Sequence, residues 1–164
     1  MAANKKRAFD GLYAQLEEVN NHVVLFAAKG EPSVIFEMTN PVQQLCTDAE
    51  QYLRFQDVLS NIVQTLGEGY ALQKQDVFCK QSYHHEVPED AEFLTRSYFR
   101  YFEGREFTEI RTFLILTQEA QRSQFVQYDP KKWMDFHAKV NKVSDILSEK
   151  HIRHRMLSKE EVNE

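Results

Sequence analysis

One cysteine and two adjacent histidines are the first candidates for catalytic residues in this chain. Cys79 lies a few positions before His84 and His85. A cysteine acts as a nucleophile when a positioned base takes its proton, so these residues outline a candidate thiol enzyme. The sequence does not fix their geometry, and a lone cysteine in a strand is more often a small apolar residue. A free-standing small α+β enzyme using Cys79 with His84 or His85 is therefore the alternative hypothesis.

Histidines also raise the question of a metal site. His84 and His85 precede Glu86, but adjacent side chains on an extended loop point in different directions. His151 and His154 are spaced to share one face of a helix. Neither group has further ligands at a spacing typical of zinc sites, so the sequence predicts no metal and no cofactor.

Phosphate chemistry would need a glycine-rich turn, followed by a lysine for the phosphates and a serine or threonine for magnesium. The chain has five glycines, and a lysine follows none of them: Gly11, Gly30, Gly67, Gly69 and Gly104. The acidic side chain of Glu68, between two of them, would repel phosphate. The sequence therefore predicts that this chain binds no nucleotide and is not an enzyme.

Composition indicates one soluble globular domain. The chain has 164 residues, of which 42% are hydrophobic and 27% charged. Its longest apolar run, residues 23–28, is far too short to span a membrane. The basic residues near the N-terminus precede no apolar region, so they do not form a secretory signal. Cys46 and Cys79 are too few for a disulfide framework, which favours a reducing, cytoplasmic location.

The net charge of −5 disfavours binding to a phosphate backbone. The clearest basic cluster is residues 150–155, which we interpret as solvated. A third hypothesis is a nucleic-acid adaptor using this cluster. It predicts salt-sensitive DNA binding that is lost when Arg153 and Arg155 are neutralised.

Periodicity and turn residues predict the order ββαβαβα. This order indicates an α+β domain, with helices packed on one side of a largely antiparallel sheet. Residues 1–11 are interpreted as a flexible leader, 12–157 as a single domain and 158–164 as an acidic, frayed tail or linker. The predicted strands are 22–28, 34–38, 69–83 and 107–117, and the predicted helices are 48–66, 89–103 and 130–150.

Alternation predicts which side chains face the core. In the first hairpin, Val23, Leu25 and Ala27 are expected to lie on one face with Val34, Phe36 and Met38, while Glu37 points to solvent. The unbroken apolar run at 113–116 predicts a central strand covered on both faces. The helical stripes are expected to contain Tyr52, Phe55, Leu59, Ile62, Val63 and Leu66 in the first long helix, and Trp133, Phe136 or His137, Val140, Val143 and Leu147 in the last.

The helix predicted at 89–103 has aromatic side chains nearly all round. Its apolar face is expected to contain Ala91, Leu94, Tyr98, Tyr101 and Phe102. Two interpretations stay open for Tyr98, Phe99, Tyr101 and Phe102. They pack into the core, or they form a docking surface for a partner.

Four segments of the middle of the chain carry a resemblance to a known family: Leu72–Phe78, Phe93–Tyr98, Tyr101–Phe107 and Phe113–Thr117. Through them, residues 70–117 resemble the N-terminal region of the TraG-type conjugation ATPases of Bacteroidetes, which belong with the assembly ATPases of type IV secretion. The family has a similar Lys-Gln-Asp strand, Phe-Leu-Ser-Arg-Ser-aromatic helix and Tyr-Leu-aromatic-Leu-Thr strand. The turn differs, reading Glu-Gly-Arg-Glu where the family has an Asn-Glu-Arg-Pro-like sequence.

The resemblance implies a non-catalytic docking and oligomerisation domain of a conjugative-transfer ATPase. In this family the nucleotide site lies in a C-terminal motor domain, so no catalytic residues carry over. The implied partners are other subunits of the conjugation machinery at the inner membrane, and further copies of the chain. The implied location is cytoplasmic, peripheral to the inner membrane in the full-length protein, with no role in binding nucleic acid.

Overall fold

A computed structural model describes residues 13–19, 22–27, 29–40, 48–88, 90–119 and 129–163. The predicted leader therefore lies outside the described residues. The described strands are β1 (Tyr13–Val19), β2 (His22–Ala27), β3 (Pro32–Met38), β4 (Tyr70–Ser82), β5 (Glu106–Gln118) and β6 (His154–Met156). The described helices are α1 (Ala49–Leu66), α2 (Phe93–Phe102), α3 (Pro130–Glu149) and α4 (Lys159–Asn163).

The α+β fold class is confirmed. The described strands form one six-stranded sheet in the order β1-β2-β3-β5-β4, and β6 also pairs with β3. The predicted elements occur in the predicted order, but β1, β6 and α4 were not predicted from the sequence. β6 and α4 are short, and the apolar residues of β1 do not recur at every second position.

Strand β3 organises the sheet. β2 pairs with its first residues, and β6 pairs with its last residues, from Phe36 to Met38. β5 pairs antiparallel along Ser33–Met38. The predicted central position of β5 is confirmed, since it lies between β3 and β4. Its buried residues nevertheless alternate, with Leu114 and Leu116 buried and Phe113 and Ile115 half-buried. One face of this stretch is therefore fully covered and the other is covered in part.

Aspartate side chains cap the N-termini of the two long helices. The Asp48 side chain accepts a hydrogen bond from the Glu50 N–H at 2.9 Å and begins α1. Asp129 does the same for the Lys131 N–H at 3.0 Å, with Pro130 at the first position of α3. Gly67 ends α1 with φ +70, a conformation that costs glycine little.

The two long helices contribute to one core with the sheet. The choice between Phe136 and His137 is settled, because Phe136 is fully buried while His137 is half-buried. The predicted buried stripe of α1 is wrong at Val63, which is 54% exposed. Val58 is buried instead. The core contains Val24, Val34, Phe36, Met38, Phe55, Val58, Ile62, Leu66, Leu114, Leu116, Phe136, Val140, Val143, Ile146, Leu147 and Ile152.

The first hairpin has the opposite register to the one predicted. Phe26 pairs with Pro32, so even-numbered residues of β2 lie opposite even-numbered residues of β3. Val24 therefore joins Val34 in the core, and Phe26 packs against this core. The reason is that β3 begins at Pro32, inside the expected turn, and a slip of one residue exchanges the two faces of a strand.

Glu37 does not point into solvent as predicted. Its side chain is only 17% exposed and forms an ion pair with Arg155. The cause is β6, which places Arg155 directly opposite Glu37 on β3. The expected shared helical face of His151 and His154 is also wrong, because α3 ends at Glu149 and His154 lies in β6.

The tail expected to fray from residue 158 is structured through residue 163. It forms α4, and Ser158 begins this segment by donating its N–H to the Glu161 side chain at 2.9 Å. Arg155 contacts Glu161 at 2.7 Å.

The described residues fall into two compact units. One contains those within the ranges 1–75 and 112–164, and the other contains those within 76–111. The first holds the core described above. The second consists of the adjoining parts of β4 and β5 together with α2.

Candidate docking surface

Along the chain, helix α2 lies between strands β4 and β5, within residues 76–111. The Tyr83 N–H donates to the Arg105 carbonyl at 2.9 Å, and the Gly104 N–H donates to the Tyr83 carbonyl at 2.9 Å. Gly104 has φ +72, which lets the chain turn directly after the helix. His84 Nδ1 adds a contact of 2.6 Å to the Glu103 carboxylate. These bonds tie both ends of the 84–103 segment together.

Tyr83 is the side chain on which α2 rests. Its ring stacks on Phe99 with centroids 6.4 Å apart, and meets the edge of Phe102 at 6.1 Å. His85 covers Phe99 from another side at 4.8 Å. Desolvation raises the pKa of the Tyr83 hydroxyl, with smaller contributions from Tyr98 and Glu103. Tyr83 is not among the residues predicted from the sequence to belong to the docking surface, although its position at the end of an alternating strand could have indicated that it packs there.

The other face of α2 carries apolar side chains in contact with solvent. Phe93 is 81% exposed, Leu94 is 76% exposed, and Tyr98 and Tyr101 are each 59% exposed. None of the residues of α2 is buried. We call Phe93, Leu94, Tyr98 and Tyr101 the α2 surface. Exposed apolar groups clustered in this way are typical of binding sites.

The predicted apolar face of this helix is partly wrong. Of the residues predicted on that face, Leu94, Tyr98 and Tyr101 are exposed and Phe102 is half-buried, while the other half-buried residue of α2 is Phe99, which was not placed on it. The helix also begins at Phe93 instead of Glu89, and before it the Ala91 N–H donates to the Pro88 carbonyl at 3.0 Å.

Of the four predicted docking residues, two therefore belong to the exposed surface and two support it. Tyr98 and Tyr101 are exposed, while Phe99 and Phe102 contact Tyr83. Tyr98 also packs on Phe102 at 4.6 Å, so the exposed and half-buried rings form one cluster. The sequence reading omitted Phe93 from the candidate docking residues, although it adjoins Leu94 at the start of the helix.

Positive charge accompanies the α2 surface. Arg96 and Arg100 lie one turn apart on the helix, and α2 itself contains no acidic residue. Arg105 places its guanidinium over the Tyr101 ring, 3.6 Å from the centroid. This cation–π contact orients the ring and keeps one of its faces covered. Tyr101 therefore presents its remaining face and its hydroxyl.

The candidate thiol enzyme gains no support from geometry. His84 is bound to Glu103, and His85 packs on Phe99. In the described part of the chain no hydrogen bond joins Cys79 to either histidine. Three more residues of β4 follow Cys79, which amounts to about 10 Å of extended strand. The strand thus carries the thiol away from the loop that holds both rings.

Metal sites and membrane-spanning helices are two other features that would indicate a function. Within the described ranges, no three or more His, Cys, Asp or Glu residues group closely enough to hold a metal ion. No helix in that part of the chain combines the length and apolar character needed to cross a membrane. Compared with protein-family models and with curated proteins, the chain matches none of them.

Proposed function

We propose that this chain is a non-catalytic protein-interaction domain of a conjugative-transfer ATPase. In this role the α2 surface docks the ATPase onto subunits of the transfer apparatus at the inner membrane. The motor activity resides in a separate domain of the parent protein, and this domain sets where the motor is held.

The observation that carries the proposal is the exposure of α2. A ten-residue helix is marginal in water unless its apolar side is packed. Here four large apolar side chains face solvent while two others anchor the helix. Burying a side chain of this kind against a partner is worth about 1.5–3 kcal/mol. The α2 surface can therefore supply a substantial part of a binding energy.

The sequence resemblance supports the choice of parent protein. The segments that carry it include Phe93–Tyr98, which lies in α2, and Tyr101–Phe107, whose turn at residues 103–106 departs from the family sequence. A glycine-rich phosphate-binding turn is absent from the sequence, which favours an adhesive role over a hydrolytic one.

The test is conjugation frequency from a donor cell that carries variants in the parent gene. Replacing Leu94, Tyr98 and Tyr101 together by serine should lower transfer at least tenfold, because each replacement removes apolar contact with the partner. Because Tyr98 and Tyr101 also contact Phe102, urea unfolding of the isolated chain checks that the triple variant stays folded.

A matched control replaces exposed apolar residues outside α2. Leu53 is 59% exposed on α1 and Met134 is 72% exposed on α3. Changing both to serine should leave transfer at the wild-type level. Equal transfer by the α2 variant and the wild type would refute the proposal. So would an open reading frame that encodes no phosphate-binding loop downstream of codon 164.

A further inference from the structure

The outer edge of β4 carries a side-chain pattern that complements itself. β4 is an uninterrupted strand of 13 residues at the end of the sheet order, next to β5. Among the residues that the structure describes, no strand pairs with its other edge. An open edge of this length presents backbone N–H and C=O groups to which another strand can bind.

Alternate residues of β4 share one face of the strand. On one face they read apolar, positive, negative, apolar, and these residues are Leu72, Lys74, Asp76 and Phe78. When two such strands run antiparallel with Gln75 opposite Gln75, Lys74 meets Asp76 of the second copy. Leu72 then meets Phe78 of the second copy. A two-fold axis repeats each of these pairs.

We propose that β4 pairs antiparallel with β4 of a second copy of this chain, with Gln75 opposite Gln75. The dimer extends the sheet across the two-fold axis. It has two Lys–Asp pairs at the centre of one face, flanked by two apolar pairs. This inference does not rest on the docking role of the α2 surface.

Exposure and charge favour this register over its neighbours. Phe78 is 68% exposed and would gain an apolar neighbour in Leu72 of the second copy, which is half-buried against the core of its own chain. A register centred on Lys74 would place two lysines directly opposite each other, and one centred on Asp76 would oppose two aspartates. Like charges in these positions destabilise a strand pair. The opposite face is uncharged in the proposed register, with Gln73 facing Val77.

Lys74 and Asp76 also make contacts within the chain, and both side chains are exposed. Exposed ion pairs contribute little, so exchange of an intramolecular contact for an intermolecular one costs little. Backbone hydrogen bonds along the strand and the apolar pairs supply the remaining attraction. Lysines on an edge normally discourage strand pairing, but here Asp76 supplies the opposite charge at the matching position.

Sedimentation equilibrium of the whole chain tests the charge pairing. Lys74→Glu should weaken dimerisation about tenfold or more, because it replaces two attractive pairs by two repulsive ones. Asp76→Lys should do the same by opposing lysines. An equimolar mixture of the two variants should regain the wild-type affinity as a heterodimer. Lys142→Glu makes the same charge change on an exposed residue of α3 and should have no effect.

Disulfide trapping tests the register. In a chain with Cys46→Ser and Cys79→Ser, Gln75→Cys should form a covalent dimer on oxidation, because directly opposite side chains lie within reach of a disulfide. Gln73→Cys, which faces Val77 of the second copy, should link poorly. Circular dichroism checks that each variant is folded.

A wild-type chain that sediments as a monomer up to its solubility limit would overturn the proposal. So would a Lys74→Glu chain with wild-type affinity, or a mixture of variants that associates no better than either alone. The α2 variants do not touch β4, so the docking proposal and the dimer proposal can fail separately.

Discussion

Arg155 shows how one residue can unite distant parts of the sequence. It lies opposite Glu37 in the pairing of β6 with β3, and it forms ion pairs with Glu37 and with Glu161 of α4. The hydrogen bond to Glu161 is the largest cause of the raised pKa of its guanidinium. The positive charge that the sequence places in a basic cluster is therefore balanced locally by two carboxylates.

Glu161 should make the attachment of α4 sensitive to acid. The Ser158 N–H and Arg155 lower the pKa of the Glu161 carboxyl below its ordinary value of 4.5. A carboxyl with a lowered pKa in the folded state stabilises it above the unfolded pKa, and this contribution is lost as the pH falls through the folded pKa. We expect the difference in unfolding free energy between the wild type and Glu161→Gln to be largest at neutral pH and to shrink below pH 4.5.

Urea denaturation at a series of pH values measures this difference. Glu160→Gln on the same helix is the control, since Glu160 is exposed. If the Glu161→Gln difference stays constant from neutral to acid pH, the carboxylate does not hold α4 in the way described.

At the scale of an element, packing on the neighbouring elements makes the buried stripe of α1 narrower than the sequence predicts. The sequence predicts both Ile62 and Val63 on the buried side, but Ile62 is fully buried while Val63 is half-exposed. α1 packs on α3 as well as contributing to the core beneath it. The orientation that satisfies these contacts turns Val63 outward.

This orientation predicts unequal effects of two neighbouring substitutions. Ile62→Ala should lower the unfolding free energy by about 2–5 kcal/mol, because it leaves a cavity in the core. Val63→Ala should change it by no more than about 0.5 kcal/mol, as expected for an exposed site. Urea unfolding of both variants provides the comparison. Similar losses at the two positions would mean that α1 packs with a different face.

At the scale of the whole molecule, acidity and local neutralisation both oppose nucleic-acid binding. The chain carries a net charge of −5. Within the basic cluster 150–155, Arg155 is paired with two carboxylates and Lys150 lies 4.0 Å from the Glu149 carboxylate. The cluster is therefore a weak attractor of phosphate compared with a patch of unbalanced charge.

We expect the chain to show little affinity for duplex DNA and little dependence of that affinity on salt. Fluorescence anisotropy across a salt series measures both. Replacing Lys150 and Arg153 by glutamine, which spares the ion pairs of Arg155, should leave the result unchanged. A steep fall in affinity with salt that disappears in this variant would instead support a nucleic-acid adaptor.

Much of the fold can be predicted from local patterns in the sequence. Asp48 and Asp129 mark helix starts by their capping chemistry, and Gly67 marks a helix end by its tolerance of positive φ. The apolar run before Thr117 indicates a central strand. These signals are local, because each depends on residues within a turn or a strand of one another.

Contacts between distant segments decided the rest. The register of β2 and β3 depends on the length of one turn, and a shift of one residue brought Val24 into the core. The strand β6 has only three residues, so only its pairing with β3 defines it. The orientation of α2 depends on Tyr83, which determines that Phe99 and Phe102 are packed while Tyr98 and Tyr101 face solvent. Sequence alone identifies the aromatic helix, but only packing against a ring outside it selects the side that faces solvent.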